Sequence, residues 1–174
     1  FLDSLLEEGL LVRRINIRQV LPIRKEFDVR VNPNAFKRYK EDIRENIDHV
    51  MLERMIPKGT VLKDVFMEIH DGNITFGRQI GSYPLLIGIP YKLECGKSYD
   101  IIITNWGYRS VTGRTYPFDI NDESMNAIAS LPSIGKKRSA TIVRYRPYTS
   151  YDDLSRAIDD KKVIEGLKGL LSFE

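Results

Sequence analysis

Leu131-Pro132-Ser133-Ile134-Gly135-Lys136-Lys137-Arg138-Ser139-Ala140, continuing through Thr141-Ile142-Val143-Arg144-Tyr145-Arg146-Pro147, is the stretch around which the chain is organised. It reads as two short helices joined by a tight turn. The first, from about Glu123 to Ser130, carries Met125, Ile128 and Ala129 at helical spacing. Pro132 and Gly135 punctuate the turn, and Gly135 is suited to a positive φ. The second helix starts near Lys136, with Ala140 and Val143 expected inside and Ile142 beside them. Its first amides have no helical partner, so they can donate to an anion. Lys136, Lys137 and Arg138 sit at the same end, where basic side chains oppose the helix dipole. No acidic residue lies between Ser124 and Tyr151. The pattern is one for holding an anion.

Composition sets the outer limits. A chain of 174 residues with a formal net charge of +3 accommodates one domain or two small ones. That charge is too small to name a partner, and only its clustering argues. The single Cys95 excludes a disulfide framework and any multi-cysteine metal site within this chain. His49 and His70 lie apart, without ligand spacing around either. No stretch reads as a signal peptide or a membrane span, so no membrane partner is expected and a cytoplasmic location is the default.

The chain opens in what reads as a helix, Phe1 to Glu8, with Gly9 as its C-cap. Leu10 to Val20 reads as a strand on Val12, Ile15 and Ile17. Helix, glycine and strand form the last step of an α/β unit, so the chain is expected to be the C-terminal end of something larger. Residues 1–31 are assigned to the end of that preceding domain and a linking strand. A long amphipathic helix follows from about Pro33 to Met55, within a segment 32–57.

From Thr60 to about Tyr116 the pattern changes to strands: Val61–His70, Ile74–Arg78, Pro84–Ile89, Ser98–Asn105 and Tyr108–Arg114. Asp71-Gly72 marks a hairpin. These strands predict a small five-stranded β-barrel over 58–118, closed or partly open, of the OB/TRAM-like kind. Two loops, 76–84 and 106–114, set arginine beside aromatics and glycines. Arg78, Tyr83, Tyr108 and Arg109 are therefore candidates for contact with RNA or single strands, or with a partner domain. The equally weighted alternative makes the glycines turn residues and the aromatics barrel filling.

Beyond the hairpin, Ser150-x-x-Asp153 is a carboxylate form of the capping box, predicting a helix through Leu154, Ala157 and Ile158. A last helix is expected over Lys161–Leu171. Asp152, Asp153, Asp159 and Asp160 are expected to keep nucleic acid off that side. The predicted fold class is α+β: a long helix, a five-stranded barrel, and an all-α cap over 119–174.

The segment Ile128–Leu154, with its Leu-Pro-Ser-Ile-Gly-Lys-Lys-Arg core and Arg-Pro-Tyr exit, resembles a helix-hairpin-helix nucleic-acid-binding motif. In that family the turn amides grip the sugar–phosphate backbone without reading sequence, and Ser133, Ile134, Gly135 and Lys137 match those positions. Many members carry Pro-Gly-hydrophobic-Gly, whereas Ser133 stands here for the first glycine. Together with Arg13–Val20, Gly77–Pro84 and Gly107–Gly113, the hairpin resembles the C-terminal region of archaeal radical S-adenosylmethionine iron–sulfur proteins. The resemblance implies a parent enzyme with an iron–sulfur cluster, S-adenosylmethionine and an N-terminal catalytic barrel, of which this region is an accessory. It transfers no catalytic residue, because the cluster-binding cysteines are absent from this chain.

The leading expectation is backbone-directed binding of DNA or RNA by Ser133, Ile134, Gly135, Lys136, Lys137, Arg138 and Arg144, with the barrel loops as a second surface. The alternative is an interaction or lid module docking on the catalytic barrel, the hairpin being structural. An independent enzyme is disfavoured. The carboxylate pairs Glu7/Glu8, Asp122/Glu123 and Asp159/Asp160 are adjacent in sequence and do not share a helix face. Ser110 and Thr112 have no nearby histidine.

Overall fold

The computed structural model describes residues 1–12, 15–19 and 31–173. They divide into two compact units: Phe1–Lys58 with Trp106–Ser110, and Gly59–Asn105 with Val111–Glu174.

The first unit is helical. Helix α1, Leu2–Glu7, ends where Gly9 at φ 74° lets its N–H reach the Leu6 carbonyl and the Leu10 N–H reach that of Leu5. Helix α2, Pro33–Ile43, is capped by Asn32, whose side chain accepts from the amides of Asn34 and Ala35. A π-helical turn, Arg44–Asp48, leads directly into helix α3, His49–Met55. The sequence predicted one uninterrupted helix here. The wider turn is invisible to pattern reading because Ile43, Ile47 and Met51 still recur every fourth residue and bury one stripe.

Leu2, Leu5, Leu6, Val12, Ile15 and Ile17 pack on that stripe. The predicted strand Leu10–Val20 is not one: residues 10–12 and 15–19 are irregular, while 13, 14 and 20 lie outside the described residues. Side groups of the helices take the amides a ladder would have taken. The Val12 N–H points at the Met51 sulfur, and the Ile15 N–H donates to the Asp48 carboxylate at 3.0 Å.

The second unit contains a closed five-stranded barrel. Its strands are β1 (Val61–Asp71), β2 (Ile74–Arg78), β3 (Leu86–Ile89), β4 (Ser98–Trp106) and β5 (Ser110–Thr115), ordered β1-β2-β3-β5-β4. Alternating residues fill it, with Val65, Met67, Ile87, Ile89, Ile101, Ile103 and Val111 buried. Closure needs Gly113. A Cβ there would lie 2.3 Å from the Ile101 methyl and 2.9 Å from the Ile102 carbonyl. The fifth strand starts at Ser110 rather than Tyr108, because the Gly107 N–H closes a turn on the Ser110 carbonyl at 2.8 Å. The third starts at Leu86 rather than Pro84.

Strand β6, Phe118–Asp119, then helices α4 (Met125–Ala129) and α5 (Gly135–Arg144) follow. Ser139 and Ile142 form the buried face of α5, together with Ile134 before it, and Ala140 is exposed. The expected Ala140/Val143 face is thus one position out of register. Helix phase is set by Ile134 and Ile142 entering the core with Ile128 and Leu131. Ser150 accepts from the Asp153 amide as expected, but only a 3-10 turn, Asp153–Arg156, follows. Asp153 folds back onto the amide and hydroxyl of Thr149, which holds the segment in a turn. Helix α6 spans Lys161–Leu167 and stops short of the expected Leu171. Leu171–Ser172 instead forms β7, parallel to β6.

Candidate functional site

In the second unit, α4 and α5 are joined through Leu131–Ile134. Both Ser133 and Gly135 have φ 61°, so the serine holds the left-handed conformation that suits glycine. Leu131 and Ile134 bury their side chains and anchor the turn from within. The two positive-φ residues turn the chain so that α5 begins with its amide end outward. Helices α2, α4 and α6 are capped by the side chains of Asn32, Ser124 and Asp160, whereas among the described residues no side chain caps α5. Its first amides are open to an external acceptor.

That end borders a groove of about 450 Å³ lined by the β1–β2 turn (Asn73), the segment after β3 (Pro90–Lys92), α4, and Gly135 and Lys136. None of the described residues that line it is acidic. Lys92 and Lys136 bring positive charge from two elements distant in sequence. Tyr91 forms part of the wall, not a stacking face. It is buried, its hydroxyl lies 2.9 Å from both the Thr115 hydroxyl and the Thr115 N–H, and burial pushes it up to about 12. The phenol stays neutral.

The other flank of α5 differs. Lys137, Arg138 and Thr141 share a concavity with Asp159 and Asp160. Arg138 donates to the Ser133 carbonyl at 2.6 Å and lies 3.7 Å from the Asp160 carboxylate. Of the four aspartates expected to keep nucleic acid off their side, Asp159 and Asp160 thus stand beside the basic cluster, and Asp160 partly neutralises Arg138. Arg144 is exposed, at the far end of the helix, over the Tyr145 ring at 5.9 Å. Arg146 is structural, donating to the carbonyls of Ile120 and Glu123.

The barrel-loop candidates do not share one environment. Arg78 pairs with Glu68 across the β1–β2 ladder, and Tyr83 is 85% exposed. Tyr108 and Arg109 belong to the first unit. There Arg109 pairs with Asp48 at 3.2 Å and donates to the Ile15 carbonyl at 2.7 Å. Lys92 and Asn73 were not singled out by sequence reading. A lone lysine after a Pro-Tyr pair carries no local signal, and only barrel closure brings it to the hairpin. Among the described residues no group of three or more His, Cys, Asp or Glu could hold a metal ion. Cys95 is the single cysteine of the chain, and an iron–sulfur cluster takes several thiolate ligands, so this chain's residues do not fit one. No helix among the described residues is long and apolar enough to cross a membrane.

No family model matches the chain. It is similar to an uncharacterized protein of Methanocaldococcus jannaschii, 43% identical over 123 residues, covering 66% of this chain and 23% of that protein. It is also similar to an uncharacterized protein of Archaeoglobus fulgidus, 35% identical over 175 residues, covering 97% of this chain and 32% of that protein. The chain thus spans between about a quarter and a third of the length of these curated relatives.

Proposed function

We propose that the second unit holds the sugar–phosphate backbone of DNA or RNA through a helix-hairpin-helix element, as the accessory region of a cytoplasmic radical S-adenosylmethionine iron–sulfur enzyme. One observation carries this reading: the amide end of α5, uncapped by any described side chain, opens beside Lys136 and Lys92 into a groove that no described carboxylate lines. The strand order agrees with an OB-like barrel, whose β1–β2 loop commonly takes part in oligonucleotide binding, and Asn73 of that loop lines the groove. Helix-end amides and lysine ammonium groups are donors that phosphate oxygens accept from, so the proposed contact is with the backbone and positions the strand without reading its sequence.

The test is the affinity of labelled single strands and duplexes across a salt series. Lys136→Ala and Lys92→Ala should each lower the salt slope by roughly one unit, for every sequence alike. Gly135→Val should weaken binding with little change in slope. The space around Gly135 is open, so that substitution acts only by forbidding φ 61°. Asp160→Asn, which keeps the α6 cap and releases Arg138, should tighten binding. Salt-independent affinity, or a Lys92/Lys136/Lys137 triple alanine variant binding like the parent, overturns the proposal.

A second reading, docking of this unit on a catalytic barrel, is favoured by one feature. The β2–β3 loop presents Ile80, 96% exposed, close in sequence to Tyr83. Its signature is association that persists at high salt and is lost in Ile80→Ser.

A further inference from the structure

The first unit contains a concavity that the nucleic-acid reading does not use. It has a volume of about 320 Å³ and is lined by Glu45 of the π-helical turn, His49 of α3, and Trp106, Gly107 and Tyr108. Its aromatic walls are held in place. The Trp106 indole N–H donates to the Ile56 carbonyl at 2.7 Å, and His49 Nδ1 lies 3.2 Å from the Gly107 carbonyl. The Tyr108 ring meets that of His49 edge-on, with centroids 6.3 Å apart, and is half exposed. Glu45 and His49 stand four residues apart, so one face of the helical segment brings both to the concavity.

The charge around these rings is negative. Glu45 is exposed at the rim, and Glu53 lies 3.2 Å from His49 Nε2. Two carboxylates thus stand against at most one imidazolium. Neither Arg44, which precedes Glu45, nor Arg109, which follows Tyr108, lines the concavity, and Arg109 is held by the wholly buried Asp48 and the Ile15 carbonyl. Aromatic faces with a carboxylate rim attract cations and repel a nucleic-acid backbone.

We propose that this concavity receives an arginine side chain from a partner polypeptide. The planar guanidinium stacks on the indole and phenol while its N–H groups face Glu45, a match that a compact ammonium makes less well.

Trp106 is the only tryptophan of the chain, so its fluorescence reports the site directly. The whole chain is titrated with acetyl-Ala-Arg-Ala-amide and with the citrulline analogue, which keeps the plane and loses the charge. The arginine peptide should change Trp106 emission saturably at millimolar concentration, and the citrulline peptide should bind several-fold more weakly. Tyr108→Ala should weaken binding roughly two- to five-fold, the range of an exposed cation–π contact. Glu45→Gln should weaken it and reduce its salt dependence. Equal binding of the citrulline peptide, an unchanged affinity in both variants, or no saturable change overturns the proposal. So does quenching by adenosine monophosphate in place of the arginine peptide, which makes the concavity a base-stacking site.

Discussion

The carboxylate of Asp48, wholly buried, meets the guanidinium of Arg109 with an N–O distance of 3.2 Å. The partners are 61 residues apart in sequence, and the other carboxylate oxygen accepts from the Ile15 amide. Removing one partner of a fully buried pair typically costs about 3 to 5 kcal/mol, and the cost here is smaller because the Arg109 side chain is 30% exposed to screening solvent while Asp48 is wholly buried. Arg109→Ala should therefore destabilise the chain in urea denaturation, and Asp48→Asn less, since its amide oxygen still accepts. Neither should alter the salt slope of nucleic-acid binding. A mild Arg109→Ala with weakened oligonucleotide affinity returns that arginine to the binding surface.

Ser133 holds φ 61°, a conformation that costs a non-glycine residue about 1 to 2 kcal/mol, while glycine carries an unfolded-state entropy of similar size. Ser133→Gly should accordingly leave stability within about 1 kcal/mol of the parent. With the hydroxymethyl gone, a phosphate can approach the turn amides more closely, and affinity should rise at every salt concentration. A fall in affinity places the serine hydroxyl in the binding contact.

Glu123 is half-buried, and that burial holds its carboxyl above the usual range despite the hydroxyl that Thr115 donates to it. A folded-state value above the unfolded one means the native state keeps its proton longer. Its contribution is therefore present at low pH and is lost as pH rises from about 4.5 through the raised value. The stability difference between Glu123→Gln and the parent should grow in favour of the variant from about pH 4 to pH 7. A difference that is constant with pH refutes the burial argument.

Arg114 is 5% exposed, and its Nε and Nη1 have no hydrogen-bond partner among the described residues. Burial pushes this guanidinium down from its ordinary value. Leaving buried donors unmade costs about 1 to 3 kcal/mol, more for a charged group. Arg114→Met, of similar length and apolar, should raise the urea midpoint. If it lowers the midpoint in phosphate buffer but not in buffer without multivalent anions, an anion holds the arginine in place.

What the sequence determined by itself was local. Strand alternation and turn residues place the barrel between Thr60 and Tyr116, and Pro132 with Gly135 mark the hairpin turn, because these signals depend on neighbouring residues alone. Where long-range partners decide, the sequence was silent or misleading. Leu10–Val20 has strand composition, yet its described amides are claimed by Asp48 and Met51. Residues 168–171 continue a helical pattern but end as a strand beside Phe118. Arg78 and Arg109 look free in a linear reading, and tertiary structure gives each a carboxylate. Lys92 is unremarkable in sequence and becomes part of the groove only when the barrel closes against the hairpin. Charge and periodicity are written residue by residue, whereas the pairing of a charge is a property of the folded contacts around it.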